Sequence, residues 1–288
     1  MKTDGLFDFR VVEVPFQRYG EEISLYPISD IHFGSPNFAA ERWGKFLDEV
    51  KKDKRPKLFI FLGDIFDALS TSERRFVLAG GMHDTTILRW EKDYAKDVKD
   101  FLKQVAPIAA NRTLAVFGGN HYYSFHDGTT SDMAVAAGLN APYIGTAGYV
   151  VLILKDKNNH GHEVKIFCHH GTSDSRMKQA RANFRCDLLL MGHNHQTYNI
   201  PQAEIDCISG QGGKYRIVEH VTRLVRCGSF LKSYEAGLKS YPVDSLMSPS
   251  MLGCPRVSII PMRKQINKGK NCPDKYVDDR WVEIKATI

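Results

Sequence analysis

The amino-acid sequence of 288 residues lacks three features that would place it in other classes of protein. No apolar run approaches the about 18 residues that a membrane-spanning helix requires, so we expect no membrane partner. The six cysteines are scattered and form no C-x-x-C pair, which indicates reduced thiols and speaks against a zinc finger or a disulfide framework. The stretch MKTDGLFDFRVVEV carries charges and no continuous apolar segment, so we expect no secretory signal and a cytoplasmic location.

The composition that remains is typical of one globular domain. Hydrophobic residues make up 43% of the chain and charged residues 25%. We predict a single domain over residues 1–288, with a motif-bearing core at about 23–235 and a strand-rich C-terminal extension at about 236–288. The net charge of +6 is compatible with anionic substrates but is too small to indicate nucleic-acid binding by itself.

Apolar runs typical of strands alternate with amphipathic patterns typical of helices. In the segment 43–50, apolar residues recur at i, i+3, i+4 and i+7, and a second such pattern should end at Pro107. The alternation predicts a layered α/β fold. A hairpin pattern turning at Asn158–Asn159 and a strand-rich C-terminal part indicate that the β-sheets are mixed. Gly210–Gly213 is the best candidate for a mobile loop.

A short polar motif follows each of five strand-like runs, at the point where each strand would end. The motifs are D-x-H at 30–32, G-D-x-x-D at 63–67, G-N-H at 119–121, a histidine at 170 and G-H-x-H at 192–195. In open α/β sheets, ligands and catalytic groups gather at the carboxyl ends of the strands, so we expect the motifs to form one site. Positions i and i+2 of a strand point to the same side, so His193 and His195 should converge.

These motifs supply two carboxylates, one amide oxygen and four imidazoles. The side chains are those of Asp30, His32, Asp64, Asn120, His170, His193 and His195. They are too many for one tetrahedral zinc ion, and the mixture of nitrogen and oxygen suits Mn, Fe, Zn or Co better than Ca or Mg alone. The set fits two divalent metal ions about 3.5–4 Å apart that share one carboxylate.

The ordered motifs resemble those of the calcineurin-like metallophosphoesterase family over about residues 28–195. The later stretch RCGSFLKSYE is similar to a Gly-Ser strand of the same family. The resemblance implies a four-layer αββα sandwich with mixed β-sheets and a dinuclear site between the strand ends. It also implies an enzyme that hydrolyses phosphoester bonds with a hydroxide that bridges two metal ions. Mn²⁺ is the expected metal, with Fe, Zn, Co and Ni as alternatives.

Carried over position by position, the resemblance implies a role for each motif residue. The first metal ion would be held by Asp30, His32, Asp64 and His195. The second would be held by Asp64, Asn120, His170 and His193, with Asp64 as the bridge. His121 would contact the phosphate and protonate the leaving oxygen, for which an imidazole has a suitable pKa; a structural hydrogen-bonding role is the alternative.

Positions next to the motifs leave alternatives open. Tyr122 and Tyr123 stand where many relatives have an acidic residue that supports the catalytic histidine. Asp67 could support the metal site or cap a loop. Of the adjacent His169 and His170, the H-G pattern favours His170 as the ligand.

Two basic regions are candidates for contact with the substrate. In the turn-rich segment 68–86, Arg74 or Arg75 could grip a phosphate through a guanidinium fork, although a solvated helix face is the favoured alternative. Near the C-terminus, a basic segment could follow a phosphate backbone, although an ordinary surface is more common. This segment contains Arg256, Arg263, Lys264, Lys268, Lys270 and Lys275.

The leading functional hypothesis is a nuclease-like phosphodiesterase that acts on DNA, RNA or a nucleotide diester, motivated by the basic charge. One alternative is a pyrophosphatase of a nucleotide-linked small molecule, because the H-G motif is similar to that of UDP-diacylglucosamine hydrolases. Another is a non-catalytic scaffold or binding subunit with this fold. All seven ligand side chains are present, which favours the enzyme. The sequence leaves the oligomeric state open.

Overall fold

The computed structural model describes residues 8–81, 83–171, 174–209, 215–234, 251–267 and 276–287, and the single positions 237, 243 and 249. In chain order the elements are β1 (Phe9–Pro15), β2 (Ile23–Ile28), α1 (Ala40–Lys52), β3 (Lys57–Leu62), α2 (Thr71–Gly80), α3 (Asp84–Ala109), β4 (Thr113–Phe117), α4 (Ser131–Gly138), β5 (Ala147–Lys155), β6 (Gly161–His169), α5 (Asp174–Asn183), β7 (Leu188–Met191), β8 (Thr197–Ser209), β9 (Tyr215–Cys227), β10 (Arg256–Asn267) and β11 (Tyr276–Thr287). The loop predicted at Gly210–Gly213 and the lysines 268, 270 and 275 lie outside the described residues.

The strands form two mixed β-sheets, as the sequence predicts. The six-stranded sheet has the order β1-β5-β6-β7-β9-β8, and the five-stranded sheet has the order β11-β10-β2-β3-β4. Parallel pairs are β1/β5, β6/β7, β7/β9, β2/β3 and β3/β4, while β5/β6, β8/β9, β10/β11 and β10/β2 are antiparallel. The hairpin predicted at Asn158–Asn159 joins β5 to β6. Parallel neighbours bring their carboxyl ends to the same edge of a sheet.

In the central strands, successive side chains face opposite sides of the sheet, and this arranges the helices and sheets in layers. In β2, Leu25 faces a core that both sheets share, whereas Tyr26 faces away from it and packs with residues of α1, α3 and α4. In the other sheet, Leu190 of β7 faces the shared core, while Leu189 packs with Met177 of α5. The layers are therefore helix, sheet, sheet, helix, which is the αββα sandwich that the family resemblance implies.

The two amphipathic patterns form α1 and α3. Helix α1 buries the four apolar residues of the stripe predicted in 43–50. Helix α3 runs on to Ala109, so the prediction that Pro107 ends it is wrong. Proline removes one backbone donor, but this close to the end of a helix the loss is small, and Ala110 N–H still donates to the Ala106 carbonyl. Among the described helices, none is both long and apolar enough to span a membrane.

The strands β10 and β11 place the C-terminal region at one side of the five-stranded sheet. Ile259 pairs with Ile23, the first residue of β2, and the two strands run antiparallel. Strand β10 therefore continues past the amino end of β2, and it carries Arg263 and Lys264 with it. These two basic residues lie at the end of the sheet opposite to the carboxyl end of β2. That a single domain spans residues 1–288 stays a prediction.

Candidate metal centre

The five polar motifs follow the carboxyl ends of β2, β3, β4, β6 and β7. Strands β2, β3 and β4 are parallel neighbours in one sheet, and β6 and β7 are parallel neighbours in the other. The folded chain brings the predicted ligands together in two adjacent groups, which contain acids and histidines from both sheets. The expectation that the motifs share one place in the fold therefore agrees with the geometry.

The first group consists of Asp30, His32 and His195, whose ligand atoms lie within 4.8 Å of one another. Asp30 and His32 are buried, and His195 Nε2 lies 3.3 Å from Asp30 Oδ1. Asp67 Oδ1 is 3.4 Å from His32 Nδ1, on the side of the ring away from Nε2. A carboxylate in this position orients an imidazole towards a metal ion. Asp67 is thus placed to support His32.

The second group consists of Asp64, His170 and His193, again with ligand atoms within 4.8 Å of one another. His170 Nε2 is 3.2 Å from Asp64 Oδ2. Asn120 Oδ1 joins this group, at 3.0 Å from His170 Nε2 and 2.9 Å from His193 Nδ1. Asp64 Oδ2 is also 3.9 Å from His32 Nε2 of the first group. One carboxylate therefore lies between the two groups.

Two observations indicate that these residues fit divalent metal ions. Asp30 Oδ1 and His32 Nε2 are buried, yet neither makes a well-aligned hydrogen bond to any described residue. A buried polar atom without a partner costs about 1–3 kcal/mol, and a bound cation removes that cost. In addition, carboxylate, amide and imidazole donors within one cluster suit Mn, Fe, Zn or Co.

Five of the seven predicted ligands have a left-handed backbone. The φ angles are 51° at Asp30, 49° at His32, 49° at Asp64, 71° at His193 and 56° at His195. This conformation costs roughly 1–2 kcal/mol for an ordinary L-residue, and such strain gathers at functional sites. These residues also lie beyond the ends of β2, β3 and β7. Their convergence comes from tight turns, so the explanation from alternation within a strand is wrong.

Glycines next to the ligands allow the turns to pack tightly. A Cβ atom at Gly119 would lie 2.0 Å from Asp64 Oδ1, and one at Gly192 would lie 1.9 Å from Ser29 Oγ and 2.5 Å from Asp30 Oδ2. Both distances are far below van der Waals contact. Only glycine therefore leaves room for the two carboxylates at these positions.

The carboxylates and imidazoles of the cluster shift each other's pKa. Burial alone would raise the pKa of Asp64, but the positive charge of His170 holds it below its ordinary value. Burial lowers the pKa of His170, but Asp64 outweighs this effect and raises it to about 9. The pair formed by Asp30 and His195 shows the same directions. A divalent cation at this position would take the place of the protons that balance these acids.

His121 makes two hydrogen bonds, one through its backbone and one through its ring. Its backbone N–H donates to Asp64 Oδ1 at 2.8 Å, and its Nδ1 lies 2.7 Å from the Ala68 carbonyl oxygen. Since a carbonyl oxygen only accepts hydrogen bonds, Nδ1 of His121 carries a proton. Nε2 is then the ring nitrogen that is left for another partner. The Ala68 carbonyl thus holds the ring of His121 in this chain, which has Tyr122 and Tyr123 where an acidic residue was expected. Sequence reasoning missed this contact, because any residue type offers a carbonyl.

Arg74 lies in α2, which begins with a capping box formed by Ser70 and Glu73. Its guanidinium donates to the backbone carbonyls of Leu69, Asn120 and Tyr122, the last two at 3.1 and 2.9 Å. It also lies 3.8 Å from the centre of the Tyr122 ring. Arg74 therefore links the start of α2 to the loop that carries His121. The neighbouring Arg75 is exposed. Phosphate binding by either arginine stays a prediction.

The structure distinguishes the two adjacent histidines, His169 and His170. His169 Nδ1 accepts a hydrogen bond from the Gly171 backbone, at 2.7 Å, while His170 lies among the ligands; the preference for His170 therefore agrees with the geometry.

Asp132, at the start of α4, was missed by the sequence analysis. It is fully buried, its Oδ2 accepts from Gly119 N–H at 3.4 Å, and burial together with the charge of Asp64 raises its pKa to about 7. In the sequence it stands two residues after Thr130, the N-cap of α4, and looks like an ordinary acidic residue in the first turn of a helix.

The sequence model of the calcineurin-like phosphoesterases matches residues 26–197 of the chain, so the protein belongs to this family. The match spans every motif that contributes to the two ligand groups. Family membership and these groups together support a metal-dependent hydrolase of phosphoester bonds. No curated protein sequence matches the chain significantly.

Several solved structures are similar in fold. Wild-type Vps29 from Entamoeba histolytica, solved with zinc, is 12% identical with a TM-score of 0.35, and the match covers 90% of this chain and 98% of that one. The calcineurin-like phosphoesterase YfkN from Bacillus subtilis is 11% identical with a TM-score of 0.40, over 92% and 90% of the two chains. An archaeal phosphodiesterase is 14% identical with a TM-score of 0.36, over 90% and 99%.

Proposed function

We propose that the protein is a phosphodiesterase that cleaves a nucleotide diester or a nucleic-acid strand with the help of two divalent cations, Mn²⁺ first among them. The observation that carries the proposal is the arrangement of both ligand groups around Asp64, directly beside His121. Asp64 Oδ2 lies 3.9 Å from His32 Nε2 in one group and 3.2 Å from His170 Nε2 in the other. This position supports a role for Asp64 as the carboxylate shared by two cations, which the family resemblance implies.

The proposed ligand sets follow the two groups. Asp30, His32, Asp64 and His195 hold one cation, and Asp64, Asn120, His170 and His193 hold the other. When bound, two such cations neutralise charge on the phosphate oxygens and make a water molecule more acidic. The remaining chemistry belongs to the chain itself.

His121 is the proposed proton donor to the leaving oxygen. Its Nδ1–H donates a hydrogen bond to the Ala68 carbonyl oxygen, so the proton that passes to the leaving oxygen is the one on Nε2. Asp64 accepts the backbone N–H of His121, so one carboxylate positions both the cations and the acid. The His121 ring lies with its centre 5.1 Å from that of His32, which places it at the edge of the first ligand group.

The charge distribution bears on the substrate. A net charge of +6 favours a polyanion. However, Arg263 and Lys264 of the basic C-terminal segment lie past the amino end of β2, whereas the metal centre follows its carboxyl end. Arg263 and Lys264 therefore do not extend a phosphate track from the metal centre. This placement favours a short nucleotide diester over a long strand that follows β10.

The proposal is tested by hydrolysis in Mn²⁺. The purified protein should cleave bis-p-nitrophenyl phosphate faster than p-nitrophenyl phosphate, and a strong preference for the monoester would contradict a diesterase. Dinucleotides, DNA, RNA and a nucleotide-sugar pyrophosphate complete the panel. Cleavage of the pyrophosphate alone would favour the pyrophosphatase, and no cleavage of any ester would favour a binding subunit.

Variants connect the activity to the site. Asp64→Ala and His193→Ala should each abolish turnover and lower the number of Mn²⁺ ions bound at equilibrium, measured by calorimetry. His126→Ala is the matched control, because His126 is exposed and lies outside both ligand groups. Unchanged turnover in the first two variants would refute the proposed metal site.

A further inference from the structure

A cavity of about 250 Å³ lies next to the loop that carries His121. Leu69, Ile87, Trp90 and Tyr122 contribute to its lining, and Arg74 forms part of one wall. The walls come from both ends of α2, from the first turns of α3 and from the residues after G-N-H. None of the predicted metal ligands lines it.

The walls of this cavity are continuous with the two supports of His121. Leu69 follows Ala68, whose carbonyl accepts the His121 Nδ1–H, and Tyr122 directly follows His121. Arg74 joins these two segments through hydrogen bonds to backbone carbonyls of both. The cavity therefore lies beside the loop that holds His121, the proposed proton donor.

The lining indicates which chemical group the cavity accepts. Trp90 and Tyr122 supply aromatic rings, Leu69 and Ile87 supply aliphatic carbon, and the Arg74 guanidinium lies 3.8 Å from the centre of the Tyr122 ring. Planar rings stack on such surfaces without the need for a particular hydrogen-bond pattern. The volume is below the about 300 Å³ at which pockets for whole small-molecule ligands begin. The space therefore suits one ring system and not a long acyl chain.

We infer that this cavity binds the nucleobase of the departing nucleoside in a nucleotide diester. The inference rests on the proposed function, because it uses His121 as the acid at the leaving group. It adds a substrate class to that function: the nucleoside on the leaving side is recognised by its base, through stacking, with little preference among bases.

Kinetics with matched substrates test the inference. The first substrate is a dinucleotide, the second has an abasic ribose as the leaving group, and the third has a cyclohexyl group in place of the leaving base. Loss of one base–aromatic contact reduces binding by roughly tenfold. We therefore expect kcat/KM to be about tenfold higher for the dinucleotide than for either analogue. Equal rates for the dinucleotide and the cyclohexyl analogue would overturn the inference.

Two neighbouring residues of α3 provide a variant and its control. Ile87 lines the cavity and is 40% exposed, whereas Leu88 is 57% exposed and does not line it. Ile87→Trp should fill the cavity and bring the ratio between dinucleotide and abasic substrate close to one, while Leu88→Trp should keep the ratio of the wild type. Ile87→Ala, which enlarges the cavity, should also lower the ratio, and thermal melting confirms that each variant is folded.

Binding without turnover separates the two proposals. Adenosine should quench tryptophan fluorescence in metal-free protein and ribose should not, and Ile87→Trp should weaken adenosine binding by about tenfold. Binding of this kind in a protein that hydrolyses no diester would refute the proposed function and retain the cavity only as a site that binds a nucleobase. Diester hydrolysis that is indifferent to the base, with no adenosine binding, would retain the function and refute the assignment.

Discussion

Replacing Arg74 with methionine tests whether this residue positions His121 or grips the substrate. Arg74 donates to the carbonyls of Leu69, Asn120 and Tyr122 and so ties the segment before α2 to the loop of His121. A hydrogen bond from a charged donor contributes about 1.5–3 kcal/mol. The Arg74 side chain is half-buried, so water can replace part of these hydrogen bonds in the variant. We therefore expect the interaction between the two segments to weaken by about 2–4 kcal/mol in total.

The expected kinetic result follows from this loosening. A shift of about 1 Å in a catalytic group can lower a rate by about 100-fold. We therefore expect Arg74→Met to lower kcat for bis-p-nitrophenyl phosphate by about ten- to one-hundredfold, while KM changes by less than about threefold. Arg75→Met is the control and should match the wild type, since Arg75 is exposed.

A double-mutant cycle makes the test specific to His121. If Arg74 acts by positioning that histidine, then Arg74→Met should cost almost nothing in a His121→Ala background. Steady-state kinetics of the four proteins, with thermal melting to verify folding, give the coupling directly. A raised KM with unchanged kcat would assign Arg74 to the phosphate instead. Fully additive effects would also refute the positioning role.

Four further predictions concern stability and metal binding. Gly119→Ala should weaken Mn²⁺ binding by at least about tenfold, because its Cβ would displace the Asp64 carboxylate. Gly44→Ala, whose Cβ meets nothing in α1, should instead stabilise the protein by about 0.5–1 kcal/mol in urea denaturation. Saturating Mn²⁺ should raise Tm, since an ion that binds only the folded chain stabilises it, and Asp64→Ala should lose most of that shift. Finally, burial would raise the pKa of Asp53, but hydrogen bonds from neighbouring side chains lower it from 3.8 to about 2. The stabilisation from the lowered pKa is complete above pH 3.8 and is lost as pH falls through about 2. After solvent screening it amounts to no more than about 1 kcal/mol. In urea denaturation at acid pH, Asp53→Asn should therefore reduce the pH dependence of the free energy of unfolding by about that amount.

The predicted ligands could be found from the sequence because two independent patterns coincide. Each motif follows an apolar run long enough for a buried strand, and each contains residue types that commonly bind metal ions. Asp64 after FIFLG and His193 after LLLMG illustrate this. A buried strand fixes where the chain reaches the edge of the sheet, so a polar residue placed there needs no long-range information to be located.

The supporting contacts could not be predicted in the same way. The acceptor for His121 Nδ1 is the carbonyl of Ala68, 53 positions away along the chain, and a carbonyl leaves no mark in the sequence. Arg74 and Arg75 have the same side chain and adjacent positions, so only the direction of α2 decides which one reaches the loop of His121. Asp132 is identified by its burial against Gly119, which depends on how α4 packs on the strands.

Among the described residues, several buried polar atoms without a hydrogen-bond partner lie in the candidate metal centre. Asp30 and Asp64 combine burial, a left-handed backbone and close neighbours, and each of these features is unfavourable without compensation. Compensation from the protein is incomplete, because Asp30 Oδ1 and His32 Nε2 have no well-aligned partner among the described residues. Neutral isosteres would relieve the buried charge but would remove the negative charge that attracts a cation. The strands below hold these strained residues in place, and they also keep the two candidate ligand groups next to each other.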